Sequence, residues 1–376
     1  MRFSIAISSL AALSPAVAYP ASNDASLKSP LPGASPGCAN DTSSVRREWS
    51  TLNKLERLSF ISAVKCLMSK PSQLPHDEAP GALNRYDDFV ATHINQTHVI
   101  HSNGIFLSWH RHFLHLFEKA LQDECRYQGT LPYWNWPWWA SDLHHSPLFN
   151  GSPTSLGGDG YFNASSPPRS NGNYTFPRGS GGGCVHSGPF ANTTVHFKNT
   201  KGIPSTTPAD KLTYAPHCLS RDLNNLIASK YCSQARVDGI LESSNIGTFQ
   251  SLLSDFVPDT DIMGPHNGGH YAIGNNMQDQ FASPSDPSFW LHHAMIDLLW
   301  TVWQAKDPKQ RQYALQGTVT SLNKPPSQNA TLTYQLDFGY LDAKQEVWKL
   351  MDVQRDIYDY SYEYAEGVAQ PEDYDH

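Results

Sequence analysis

The sequence is short of positive charge. Its 376 residues carry 27 Lys and Arg against 35 Asp and Glu, a formal charge of −8. An acidic chain is a poor partner for nucleic acid or an anionic membrane. Cysteine is sparse as well: six residues, with no C-x-x-C pair. That argues against a cysteine-based zinc or dithiol centre. No H-E-x-x-H occurs, so the zincin protease pattern is missing. After residue 18 no apolar run is long enough to span a bilayer. Neither internal repeats nor an interdomain linker can be found. One domain of about 330 residues is expected.

What is present begins with "MRFSIAISSLAALSPAVAYP". Arg2 precedes a short apolar run that ends in "AVA". Residues 1–18 are read as a secretory signal peptide cut after Ala18, and the mature protein as secreted. Pro, Ser, Ala and Gly dominate up to residue 37, and 19–40 are read as a flexible or removable leader. The folded domain is expected over 41–376. The six cysteines (Cys38, Cys66, Cys125, Cys184, Cys218 and Cys232) suggest three disulfides in an exported chain, with the pairing open. Sequons at Asn40, Asn95, Asn150, Asn163, Asn173, Asn192 and Asn329 suit a glycoprotein.

The coarse pattern is mainly α. "SVRREWSTLNKLERLSFISAVKCLM" has a helical rhythm, with Ser43 or Ser44 as its cap. "GIFLSWHRHFLHLFEKALQDEC" (104–125) predicts a second helix with a broad apolar face. Residues 146–215 turn to Gly, Ser, Asn, Pro and Thr and read as a long loop with a few short strands, stapled by Cys184 and Cys218. Helical pattern returns in "CLSRDLNNLIASKYC", "IGTFQSLLSDF" and "PSFWLHHAMIDLLWTVWQA" (287–305), where Pro287 suits a helix start. "TLTYQLDF" reads as a strand.

Seventeen histidines are unevenly placed. One cluster holds His93, His98, His101, His110, His112 and His115. The other is "PHNGGH" with the later "LHH": His266, His270, His292 and His293. His266 and His270, four apart, project from one side of a helix. A third imidazole from 287–305 would complete a site, and Asp297 lies one turn beyond His293. Imidazole-only coordination suits copper, zinc, iron or nickel and not magnesium or calcium. Asn267 cannot act as the base that a zinc protease needs. Two three-histidine sets on two helix pairs describe a bundle with metals at its centre.

The strings "HSNGIFLSWHRHFLHLFE", "LPYWNW", "PHNGGH" and "DPSFWLHHAMIDLLW" closely resemble the type 3 copper family of tyrosinases, catechol oxidases and molluscan haemocyanin units. The last string fits the long pattern D-P-x-F-x-x-H-H-x-x-x-D-x-x-W. The likeness runs from about Arg46 to Tyr364 and is greatest to short secreted fungal enzymes of catechol-oxidase or o-aminophenol-oxidase type. It implies a four-helix bundle holding two copper ions. His93, His101 and His110 would hold one, and His266, His270 and His293 the other. His98, His112 and His115 match no ligand position. Phe289 would pack on the ligand rings, with His292 and Asp297 beside them. Tyr271 and Gln280 are expected at the mouth over the second copper. Val99 stands where some relatives carry a cysteine cross-linked to the second histidine, so no thioether is expected. Asn135 replaces the more usual Asp. A Y-x-Y motif within Tyr358–Tyr364 would close the core near Arg46 or Arg47. No C-terminal capping domain is expected.

The resemblance implies an oxidase that uses O2 to turn o-diphenols, and by extension o-aminophenols, into o-quinones. Monophenol hydroxylation stays open. Asn267 is half of the pair that holds a proton-accepting water in hydroxylating relatives, but no Glu lies between Glu242 and His266, and Asp255 is the nearest substitute. The alternatives are a tailoring oxidase for one secondary metabolite and a haemocyanin-like oxygen carrier. Gly268 and Gly269 each cost a helix about 1 kcal/mol relative to alanine. They are expected to give clearance to substrate or to a neighbouring helix.

Overall fold

The computed structural model describes residues 44–198 and 208–364. The signal, the leader and Cys38 lie outside them. Chain order is α1 (Lys54–Ser69), α2 (Arg85–Ile100), α3 (Phe106–Cys125), α4 (Trp136–Trp139), α5 (Pro208–Lys211), α6 (Asn225–Tyr231), α7 (Gln234–Leu241), α8 (Ile246–Ser254), α9 (Pro265–Ile273), α10 (Ser288–Ala305) and α11 (Pro308–Arg311). The strands are short: β1 (Ser44–Arg46), β2 (Gly160–Phe162), β3 (Ser170–Asn171), β4 (Tyr174–Thr175), β5 (Gly182–Val185), β6 (Thr194–Phe197), β7 (Tyr214–Cys218), β8 (Gln335–Leu336), β9 (Gln345–Glu346) and β10 (Tyr360–Tyr362). They form two-stranded pairs: β1 with β10 in parallel, then β2–β5, β3–β4, β6–β7 and β8–β9 in antiparallel.

The first helix begins later than its rhythm suggested. Ser44–Arg46 is a strand and Trp49–Thr51 a 3-10 turn. Asn53, not Ser43 or Ser44, caps α1: its side chain accepts from the Leu55 and Glu56 amides while Glu56 reaches back. Leu55, an apolar residue in the first turn of α1, is 76% exposed. Asn84 and Asp87 form the same reciprocal cap at the start of α2, a helix the hydrophobic pattern did not reveal. α3 ends where Arg126 turns left-handed, at φ 57°. The strand expected across "TLTYQLDF" shrinks to Gln335–Leu336.

Helices α2, α3, α9 and α10 surround the core and carry the histidines. Trp290 of α10 lies flat on Phe117 of α3, with ring centroids 3.6 Å apart. Each such fully buried ring contributes roughly 1.5–3 kcal/mol. Among the described residues, which leave out Cys38, there are two disulfides. Cys66–Cys125 ties α1 to the end of α3, and Cys184–Cys218 ties β5 to β7. Cys232 is a buried free thiol. Its neighbours include the Pro265 carbonyl, with Sγ 3.9 Å from that oxygen.

Arg46 closes the described chain. It is fully buried, lies 3.7 Å over the Tyr360 ring and donates to Glu118, Asp297 and Tyr362. Tyr360 and Tyr362 both donate to Asp297 Oδ2, at 2.6 and 2.7 Å. Burial pushes the Asp297 carboxyl up, but Arg111 and Arg46 outweigh it and hold it below the usual range. Among the described residues, no helix is long and apolar enough to cross a membrane.

Candidate metal centre

Six imidazoles converge between the helices. His93 comes from the middle of α2, His101 from its C-cap, and His110 from the second turn of α3. His266 and His270 lie on α9, which Pro265 opens, and His293 on α10. The nitrogens of His93, His101 and His110 lie within 4.8 Å of one another, and so do those of His266, His270, His292 and His293. The two groups face each other: the rings of His110 and His293 stack with centroids 4.7 Å apart.

Backbone carbonyls set the orientation of four rings. Nδ1 of His93 donates to Phe281 O at 2.7 Å, His101 to Thr97 O at 3.0 Å, His110 to Phe106 O at 2.9 Å and His270 to Met277 O at 2.7 Å. A proton fixed on Nδ1 leaves Nε2 as a lone pair. Nε2 of His93 and of His110, and both nitrogens of His266, are buried without a hydrogen-bond partner. Nε2 of His270 lies 3.2 Å from Nε2 of His293. Buried unpaired nitrogens are costly, and a cation that accepts imidazole lone pairs removes the cost. Burial lowers all these imidazoles: His101 and His270 to about 4, and His93, His110, His266 and His293 well below 6.5. They are neutral at neutral pH, the form a metal requires. The donor set therefore fits copper.

His292 differs. It is buried in the second group, but its Nε2 donates to the His266 carbonyl at 2.9 Å. It braces the backbone of a neighbour. Phe289 is buried and stacks on His293 at 4.1 Å. Among the described residues Asp297 hydrogen-bonds Arg46, Arg111, Tyr360 and Tyr362 rather than a histidine. His98 is exposed and meets the Phe281 ring edge-on. His112 pairs with Asp342 and Tyr358, and His115 packs on Tyr358.

A cleft of about 1220 Å³ opens over both groups, lined by His101, His266 and His270 together with Asn267, Tyr271 and Gln280. Asn267 Nδ2 donates to Ser254 O at 2.8 Å, tying α9 to the end of α8. Asp255 lines the same cleft, its carboxyl raised by burial. The two glycines face away from it. A β-carbon on Gly268 would lie 2.5 Å from Tyr231 Cβ, and one on Gly269 2.3 Å from His292 Cε1. Their clearance serves α6 and α10, not substrate.

The sequence reading missed Phe106, whose ring sits 4.7 Å from His110 and 4.8 Å from His266, between the groups. Its position one turn before His110 was the available signal. It also missed the carbonyls that aim the rings, which no side-chain pattern encodes.

A helical core with two facing sets of neutral imidazoles defines a class of protein: one whose histidines could bind metal without help from cysteine or carboxylate. Residues 83–306 match the common central domain of tyrosinase. Tyrosinase P of Aspergillus terreus is 43% identical over 338 residues, covering 88% of this chain and 95% of that protein. An N-acetyl-6-hydroxytryptophan oxidase of Emericella nidulans is 40% identical over 344 residues, covering 87% and 94%. A mutant polyphenol oxidase from Thermothelomyces thermophila superposes with a TM-score of 0.81 at 42% identity, covering 87% of this chain and 90% of that one. The chain belongs to the type 3 copper tyrosinase family, as an oxidoreductase of the polyphenol oxidase type.

Proposed function

We propose that the chain holds two copper ions, one on His93, His101 and His110 and one on His266, His270 and His293, and oxidises o-diphenols and o-aminophenols to quinones or quinone imines. The stacking of His110 on His293 carries this reading, because it brings the two groups face to face. His292 is left out because its Nε2 donates to His266 O and its remaining unpaired nitrogen, Nδ1, is packed against Gly269. Bound copper would supply the binding and reduction of O2. The chain's part is to aim neutral imidazoles and to keep their surroundings dry with Phe106 and Phe289. The phenolic proton leaves into the open cleft, towards Asp255.

Substrate size is part of the proposal. A simple catechol fills little of about 1220 Å³. Apolar side chains stand at its wall, among them Phe256, Val257 and Leu322, the last 70% exposed. The cleft suits an extended aromatic phenol, as a tailoring enzyme of secondary metabolism would use. The Emericella relative, an N-acetyl-6-hydroxytryptophan oxidase, supports the same class. Secretion belongs to the reading too, supported by two disulfides.

A panel of catechols, o-aminophenols and monophenols on copper-loaded protein tests it, with copper content measured alongside. Two ions per chain and turnover of o-diphenols are expected, with KM falling as the aromatic framework grows. Reversible oxygen binding without turnover would favour a carrier. Asn267 and Asp255 lining one cleft keeps monophenol hydroxylation as a second reading. Phenol, tyramine and tyrosine, each primed with a trace of catechol, decide it; no hydroxylation of any would end that idea.

A further inference from the structure

Residues 275–282 run between the two histidine groups. Met277 O accepts from His270 and Phe281 O from His93, each at 2.7 Å. Asp279 stands between these carbonyls. Its Oδ1 accepts from Phe281 N at 2.9 Å and from Ala282 N at 3.2 Å. The Ala282 N–H and the Phe281 C=O belong to one peptide unit. That unit is gripped at both ends, by a carboxylate on its N–H and an imidazole on its carbonyl. Lys211 Nζ meets the two oxygens of the same carboxylate at 3.0 and 2.7 Å, and the paired side chains are 1% and 3% exposed.

We propose that Asp279, backed by Lys211, is a positioning residue for His93 that acts through this one peptide group. The peptide is planar and resists twisting, so holding its N–H fixes the direction of its carbonyl. That direction fixes which nitrogen of His93 carries the proton and where Nε2 points. A negative charge on the N–H side also makes the carbonyl a stronger acceptor, since linked hydrogen bonds polarise one another. The result resembles a carboxylate bonded directly to a metal-binding histidine. Here the charge is kept a peptide's length away, and Lys211 balances it. The bonds reach residues 281 and 282, so the effect falls on His93 and its group rather than on His266, His270 and His293.

The metal arm of the test rests on the copper reading above; the other arm does not. Three variants are compared with wild type: Asp279→Ala, Asp279→Asn and Lys211→Gln. Histidine ¹⁵N NMR of the metal-free chain reads the tautomer of His93. The wild type is expected as the Nδ1–H form, Asp279→Ala as a mixture, and Asp279→Asn in between, because its amide oxygen still accepts both N–H groups. In copper-loaded protein, competition with a chelator is expected to strip one ion from Asp279→Ala at about 10–100-fold lower chelator, with the second ion as in wild type. An unchanged tautomer in Asp279→Ala overturns the proposal. So does equal loss of both ions in step with a lower melting temperature. If Asp279→Ala does not fold, wild-type tautomer and copper retention in both other variants overturn it. A wild-type chain that takes up no copper defeats the copper reading and leaves the tautomer to decide this one.

Discussion

At the scale of single residues, Gly269 has a role its place in the sequence conceals. Alanine there would improve helix propensity by about 1 kcal/mol. It would also drive a methyl group into His292, 2.3 Å from Cε1 and 2.6 Å from Nδ1. Overpacking of that kind costs about 1–3 kcal/mol. Gly269→Ala is therefore expected to lower the melting temperature and to slow small and bulky substrates alike. A KM change confined to bulky substrates, with unchanged melting, would restore substrate clearance. His115 offers a second residue-scale outcome. Burial, then the nearby His112, Arg46 and Lys119, hold its imidazole at about 3, against an opposing pull from Asp342. Its folded pKa lies below the unfolded value of about 6.5. The neutral ring's stabilisation is present above pH 6.5 and is lost as pH falls towards 3. Melting temperature followed across that window should fall less steeply in His115→Gln than in wild type.

At the scale of elements, the sequence was readable where function and periodicity coincide. "PHNGGH" and "DPSFWLHH" declared both their helices and their histidines. α2 was not seen, because its inward face includes Asp88, Thr92 and His93, and polar residues do not raise a hydrophobic rhythm. Its Asn84–Asp87 cap is the local signal of where it starts. β1 was mistaken for helix because its partner lies some 316 residues away, beyond any local pattern. The disulfide between α1 and α3 carries an element-scale prediction. It closes 59 residues of chain, and loop-closure entropy of that size contributes about 4 kcal/mol. Cys66→Ser should shift the urea midpoint down accordingly, with a somewhat larger m-value because the unfolded chain without its cross-link exposes more surface. Unaltered unfolding would mean that packing alone holds α1 on α3.

At the scale of the whole described domain, one family resemblance and two histidine clusters anticipated the helical core, and the fold brings those clusters together as two groups that could hold metal. They could not anticipate how charge is distributed behind them. Asp297 looked like a companion of His293 by its one-turn spacing, yet spacing gives a direction only on an isolated helix. The tertiary fold offers Asp297 two guanidinium groups and two tyrosines instead, and such partners outweigh a distant imidazole. The tyrosine motif was legible as a closure, and Arg46 rather than Arg47 is the residue it closes on. The lining of the cleft was least legible, because residues from stretches spread between His101 and Asn323 meet there only after folding.

The parallel pairing of β1 with β10 has a consequence for the order of events on the ribosome. Ser44–Arg46 emerges early, but its partner strand is made only after more than three hundred further residues. Until then Arg46, Glu118 and Asp297 lack the two tyrosines that surround them in the finished core. Most of the helices can assemble during synthesis, while this seam is completed afterwards. A nascent chain halted before Tyr360 would keep Arg46 and Asp297 without the rings and hydroxyls that cover them in the finished core.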